Sequence, residues 1–406
     1  MRLVLVAVLT GVLAPACFSQ TTESHSPQIL LTAQRLRRLK RDRQRQTERW
    51  VNFENRVSST PDSPERGFEL ALYHAITNDE SRGREAIAWA KDHSCDRRQA
   101  ALVLDWTSDL ISDEDRRVLA GQECAPVKEK SARSFRDALF MRIASDQSTK
   151  DLISESQNSM ASWLGPDALI DAAEFYAMCE FLGVVKSTER IDLREEAHTL
   201  FSALPQEFLL RLKPQQQEHP EWRIHAAALA LVDLDPNLEG SQYLQAWALE
   251  DQQMVREGPG VAYELLWADP YLPGVSYQNM DPWVYQPGRA LLARADWSPG
   301  SCWIDLSMDG VKQDNCPPDW QKKAVWFGHL NLIPMNAPCI TVSARKPNTA
   351  VILWKLRPHQ ALLYENVSEP NLAPSEADEL GLWRVPSNVE GKVCLKREGP
   401  AKQARR

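Results

Sequence analysis

Arg98–Ile111, RQAALVLDWTSDLI, runs directly into Ser112–Gln122, SDEDRRVLAGQ, and how this pair is read decides the fold. In the first segment apolar residues recur three and four positions apart, the period of one face of an α-helix. The second opens with Ser112 followed by Asp115, an arrangement that resembles a helix cap. Two helices with so short a break must run antiparallel. The same pattern extends in both directions. Upstream lie 32–57 (TAQRLRRLKRDRQRQTERWVNFENRV), 63–79 (SPERGFELALYHAITND) and 83–93 (GREAIAWAKDH). Thr32 suits a cap, and Leu36, Leu39, Trp50 and Phe53 punctuate a charged run that reads as a solvated face. Downstream come 166–183 (PDALIDAAEFYAMCEFLG), 192–212 (DLREEAHTLFSALPQEFLLRL) and 220–235 (PEWRIHAAALALVDLD). A bundle or ring of helical hairpins follows, too irregular for a short solenoid repeat.

The texture changes after Trp267. Residues 269–289 are rich in Pro, Tyr and Trp. Beyond them RALLARADW, SCWIDLSM, VWFGHLNLIPM, PCITVSAR, TAVILWKL, LGLWRVP and KVCLKR are short, β-branched and aromatic, and are divided by turn residues. The expected organisation is therefore α+β: a helical body over 27–268, a junction over 269–289, an antiparallel β module over 290–396 and a frayed tail over 397–406.

The 406 residues, 43% apolar and 25% charged, have a globular composition and enough length for two domains. A formal charge of −8 argues against a nucleic-acid partner. Residues 1–19 read as a secretory signal, with one Arg, an apolar run from Leu3 to Leu13 and small residues after it. LAPAC also loosely resembles a lipobox, leaving a lipid anchor at Cys17 as an alternative, although Pro15 fits that motif poorly. No later run has the length of a membrane span. Export permits disulfides. Cys95 and Cys124 flank one helix and suit a pair, whereas Cys179 sits in an apolar helix as a buried thiol. Cys302, Cys316, Cys339 and Cys394 suit two bridges of unreadable connectivity. Neither a metal-ligand spacing nor a cofactor pattern occurs, so no metal or cofactor is expected.

Several stretches resemble the heparinase II/III-like and alginate-lyase-like polysaccharide lyases, which are (α/α) toroids followed by a β-rich module. SPQILLTAQRLRRLK resembles the toroid entry, and ALYHAITNDESRGREAIAWA and LVLDWTSDLISDEDRRVLA are similar to helix pairs of that family. ARADWSPGSCWIDLSM resembles the entry to the sandwich, at Arg294 and Trp297. The likeness runs intermittently from Pro27 to Met308. It implies a secreted toroid acting on a polysaccharide by β-elimination beside a uronate. Such chemistry needs a carboxylate anchor and a Tyr or His that handles the proton. In that reading Arg223 is the anchor, His225 or Tyr263 carries the proton, and His329 is a further candidate. Tyr271, Tyr277, Trp283 and Tyr285 would hold the sugar, as aromatic faces do, or else would plug the domain seam. Tyr263 and Trp267, four apart, also suit simple packing on one helix face. Residues 214–221, ahead of WRIHAAALAL, contain no Asn, and the family's His-rich strand segment is missing. A non-catalytic glycan-binding or structural relative is therefore the alternative. A toroidal glycoside hydrolase is a third reading and requires two carboxyl groups facing each other across the cleft. Glu264, Asp269 and Asp281 are the candidate acids for it, the two Asp residues also suiting turns before Pro.

Overall fold

The structure is a computed structural model. It describes residues 27–59, 62–122, 124, 130–164, 171–213 and 220–280, followed by 283–286, 290–294, 297–301, 303–307, 310–315, 330–334, 340–343, 350–357, 360–367, 382–385 and 390–393. Most of the described chain up to Met280 is helical. The helices are α1 (Ala33–Arg45), α2 (Glu48–Ser59), α3 (Arg66–Thr77), α4 (Glu80–Asp92), α5 (Arg97–Trp106), α6 (Asp113–Gly121), α7 (Ala132–Ala144), α8 (Lys150–Trp163), α9 (Ala172–Val184), α10 (His198–Arg211), α11 (Trp222–Leu234), α12 (Glu239–Ala248) and α13 (Gly260–Trp267). Many begin where the sequence supplies an oxygen for the first-turn N–H groups. Thr32, Asp79, Asp96, Ser112, Ser131 and Asp171 all accept such bonds.

Two kinds of helix alternate along the chain. In α5 every residue from Arg98 to Trp106 is buried, and α3, α9, α11 and α13 are enclosed nearly as fully. By contrast α1, α2, α4 and α6 bury only part of their surface. A helix apolar all round belongs inside, and one with a single apolar stripe belongs on the surface. Contacts agree with this sorting. α3 packs on α5, α5 on α7, α7 on α9, α9 on α11 and α11 on α13. α13 returns to α2, and its Tyr263 meets Phe68 of α3 with ring centroids 4.9 Å apart. The odd-numbered helices from α3 to α13 thus surround a common centre, while α4, α8 and α12 each pack on an inner neighbour.

The chain ahead of α1 is pinned to this body. Asp105 accepts from the amides of Gln28 (3.1 and 2.9 Å) and Ile29 (2.8 Å), and Trp106 Nε1 donates to the Ile29 carbonyl at 2.9 Å. Cys95 and Cys124 are paired across the α5–α6 hairpin, as their spacing suggested. Cys179 is a buried free thiol, its pKa pushed up by burial. The leader with Cys17, and Cys302, Cys316, Cys339 and Cys394, lie outside the described residues.

After α13, strands β1 (Trp283–Gln286), β2 (Ala290–Arg294), β3 (Trp303–Ser307) and β4 (Gly310–Asp314) pair antiparallel in chain order. The seam with the helices is polar as well as apolar. Trp303 Nε1 donates to the Leu210 carbonyl at 2.5 Å, and Arg211 Nη1 reaches Asp305 Oδ2 at 3.0 Å. Among the described residues no helix is long and apolar enough to cross a membrane.

Candidate functional site

The first turns of the six inner helices open on one cavity of about 510 Å³. Glu65 precedes α3, Asp96, Arg97 and Arg98 begin α5, Arg133, Arg136 and Asp137 belong to α7, and Tyr176 belongs to α9. Trp222 and Arg223 come from α11 and Tyr263 from α13. A second hollow of about 750 Å³ shares Cys95 and Asp96 with the first and is also lined by Trp89, Asp92 and His93. The two hollows thus lie on either side of Cys95 and Asp96.

The floor is a buried charge network. Glu180, fully buried in α9, accepts from Arg98 Nε (3.0 Å) and Nη2 (2.6 Å), from Arg136 Nη1 (3.0 Å) and from the Tyr176 hydroxyl (2.7 Å). Trp267 Nε1 donates to Tyr176 Oη at 2.8 Å, completing the set. Burial alone would raise the Glu180 carboxyl, but Arg98 and Arg136 hold it below the usual carboxylate range. Burial likewise opposes the charge on Arg98, and Glu180 more than offsets it, so that guanidinium stays charged. The network ties α5, α7 and α9 together.

Tyr263, 5% exposed, lies just above this floor. Its hydroxyl accepts from Arg98 Nη1 at 3.0 Å and donates to Glu65 Oε2 at 2.8 Å. Burial first, and then the nearby Glu65 and Glu180, raise its pKa well above the ordinary phenol value, against the pull of Arg98. The hydroxyl therefore holds its proton at neutral pH and is a donor rather than a base. Glu65 is also raised, chiefly by burial and with help from Asp96 and Glu180, while Arg98 and the Tyr263 hydroxyl oppose the shift. Asp137 is raised by burial too, against its partner Arg136.

The structure brings only part of the expected constellation together. Arg223 and Tyr263 line the cavity, with the Arg223 guanidinium 4.5 Å from the Trp222 ring centroid and bonded to Glu221 at 2.6 Å. His225 is not among the lining residues. It is 1% exposed, with Nε2 2.8 Å from the Ala248 carbonyl and Nδ1 3.0 Å from Glu264 Oε2. A carbonyl can only accept, so Nε2 carries a proton, and Nδ1 is committed to Glu264. At 1% exposure and off the cavity lining, the ring is not placed to meet a ligand there. Glu264 also takes Arg49 Nε at 2.5 Å, which makes this group a tie between α11, α13 and α2.

The aromatic junction divides in a similar way. Tyr271 is exposed, bonds Arg45 at 2.8 Å and lies away from the cavity lining. Tyr277 packs edge-on against Trp297 at 5.4 Å, in the seam between helices and strands. Trp283 and Tyr285 fall in β1, their side chains outside the described set, and His329 lies outside the described residues altogether. Asp269 accepts the Tyr271 amide at 3.0 Å, a turn-making role.

Glu65, Arg98, Arg136, Asp137, Tyr176 and Glu180 were not anticipated from the sequence. One signal was present: Glu180 stands inside the otherwise apolar helical run FYAMCEFLG, where a charge must be paired. Among the described residues no cluster of three or more His, Cys, Asp or Glu side chains suits a metal ion. No protein-family model matches this chain, and a search of curated proteins returns no match.

Proposed function

We infer that the protein binds an acidic, uronate-containing glycan in the cavity over the inner helices, as a relative of the (α/α)-toroid polysaccharide lyases. The carrying observation is that Arg97, Arg133 and Arg223 line one cavity with Trp222 and Tyr263, beside the Arg98 and Arg136 guanidiniums that Glu180 already engages. Guanidinium groups pair with carboxylates through two parallel hydrogen bonds, and aromatic walls suit sugar rings. The helix ends that meet there are N-termini, whose dipoles favour anions. The chain as a whole is acidic, so attraction of an anion must come from this local focus. The alternation of enclosed and outer helices supports the toroid, and strands β1 to β4 support a β module docked on α10.

In this reading Arg223 remains a carboxylate anchor, but proton abstraction is not assigned to His225, whose nitrogens are both engaged, nor to Tyr263, which holds its proton. No β-elimination step is assigned to these residues. The test is titration of the full chain with labelled hexasaccharides from hyaluronan, alginate and pectin, alongside a neutral cellohexaose. Acidic probes are expected to bind preferentially and more weakly as salt rises. Replacing Arg133 and Arg223 by Ala should weaken binding at least about tenfold, since one charge-assisted bond is worth about 1.5–3 kcal/mol. Equal binding of the neutral probe, or indifference to salt, would refute the reading.

A further inference from the structure

We propose that Glu65 and Asp137 form an acid–base pair that hydrolyses a glycosidic bond of the glycan held in this cavity. This rests on the glycan-binding reading above and adds a chemistry to it.

Glu65 occupies the N-cap position of α3, where a side-chain oxygen ordinarily caps the first turn, yet its carboxyl makes no cap bond. It extends instead into the cavity. Oε2 is fixed by the Tyr263 hydroxyl at 2.8 Å, and Arg98 Nη1 stands 3.5 Å away. Among the described residues Oε1 has no hydrogen bond, and the side chain is 20% exposed. Asp137 repeats the arrangement from α7. Its Oδ1 takes both contacts from Arg136, Nε at 2.8 Å and Nη2 at 2.7 Å, which leaves Oδ2 without a bond among the described residues. Each carboxyl is thus held by one oxygen, and both residues line the same cavity. Purely structural carboxylates nearby are used up: Glu180 accepts four bonds, and Asp96 is spent on the Gln99 amide and side chain.

The partners assign the roles. Asp137 is held by two contacts from a guanidinium, which opposes the rise that burial gives its carboxyl, so it serves as the base. Glu65 is bonded to a neutral hydroxyl and has its guanidinium neighbour, Arg98, no nearer than 3.5 Å, so it is the better proton carrier and serves as the acid. Raised carboxyl pKa values suit this work at near-neutral pH. Glu65 gives its proton to the glycosidic oxygen as the bond from that oxygen to C1 breaks, and the bonding pair stays on the oxygen. A water molecule supplies the new C1–O bond and passes a proton to the Asp137 carboxylate. One water is consumed, one reducing end and one alcohol appear, and exchange with solvent restores both carboxyls. Tyr263 is a positioning residue here, acting through Glu65.

The experiment uses the full chain and the same labelled hexasaccharides in ¹⁸O-enriched water. New reducing ends carrying ¹⁸O, without ultraviolet absorbance of an unsaturated uronate, are expected. Glu65→Gln and Asp137→Asn should each reduce turnover about 10²-fold or more while affinity changes only a few-fold. Tyr263→Phe removes a bond that favours ionised Glu65, so the alkaline limb of the pH profile should move to higher pH. A hexasaccharide that binds and stays intact would overturn the proposal and leave the binding reading standing. An unsaturated product would overturn it in favour of elimination. If none of the probes binds, the binding reading fails and the proposal fails with it.

Discussion

Glu180→Gln is the most informative single change to the floor of the cavity. The substitution is nearly isosteric, so little packing is lost, but it removes the one negative charge shared by Arg98 and Arg136. Both guanidiniums are buried, and the remaining acids help only in part: Glu65 lies 3.5 Å from Arg98, and Asp137 is bonded to Arg136. The amide also turns an NH₂ group toward a donor. Removing one partner of a buried pair costs about 3–5 kcal/mol, a large share of the roughly 5–15 kcal/mol that holds a folded domain. Urea unfolding followed by tryptophan fluorescence should show a lower midpoint at unchanged slope. Glu80→Gln is the control. Its pair with Arg84 is solvent-exposed, and the change should stay within about 0.5 kcal/mol.

The same variant carries a pH signature. Glu180 is depressed in the folded state, so the folded protein binds fewer protons there than the unfolded chain does. Its contribution is complete above the unfolded glutamate pKa of about 4.3 and is lost as pH falls through the lower folded value. Wild type should therefore lose stability on the acid side of pH ~4 more steeply than Glu180→Gln. A loss below about 1 kcal/mol at neutral pH, with parallel acid limbs, would refute the view that this network binds α5, α7 and α9.

Other perturbations separate neighbouring features. Cys95→Ser with Cys124→Ser opens a bridge spanning 29 positions, for which loop entropy predicts about 3.5 kcal/mol; the midpoint should fall accordingly, and glycan affinity with it, because Cys95 borders both hollows. Gly260→Ala places a methyl 2.5 Å from Trp222 Cβ, so it should displace the Trp222 wall, cost about 1–3 kcal/mol and weaken glycan binding, read by calorimetry. Asp105→Asn takes a charged acceptor from the amides of Gln28 and Ile29; faster hydrogen exchange at those two amides, with a loss of about 2 kcal/mol, is expected. His225→Gln should lower stability and leave glycan affinity within a few-fold, since its partners Ala248 and Glu264 belong to the helical frame.

What the sequence disclosed and what it withheld follow from the same physics. Periodicity reports which face of a segment avoids water, and so the helices from Thr32 to Trp267 could be read, together with the caps at Thr32 and Ser112. It does not report which other segment covers that face. His225 drew attention because it stands among alanines on an enclosed helix, but its role is decided by a carbonyl 23 positions away and a carboxylate on another helix. Tyr263 is legible as a candidate in its own helix, whereas its acceptor Glu65, 198 positions earlier, stands in a stretch that reads as a plain helix start. Tyr277 looked like a ligand platform because aromatic residues serve seams and sugars equally well, and only its contact with Trp297 separates the two. Charges inside apolar runs escape this ambiguity. Glu180 in FYAMCEFLG cannot be buried alone, so its position already requires that its helix meet a cation from another segment. In a ring of helices those meeting points lie around the centre, and here the cavity opens directly above them.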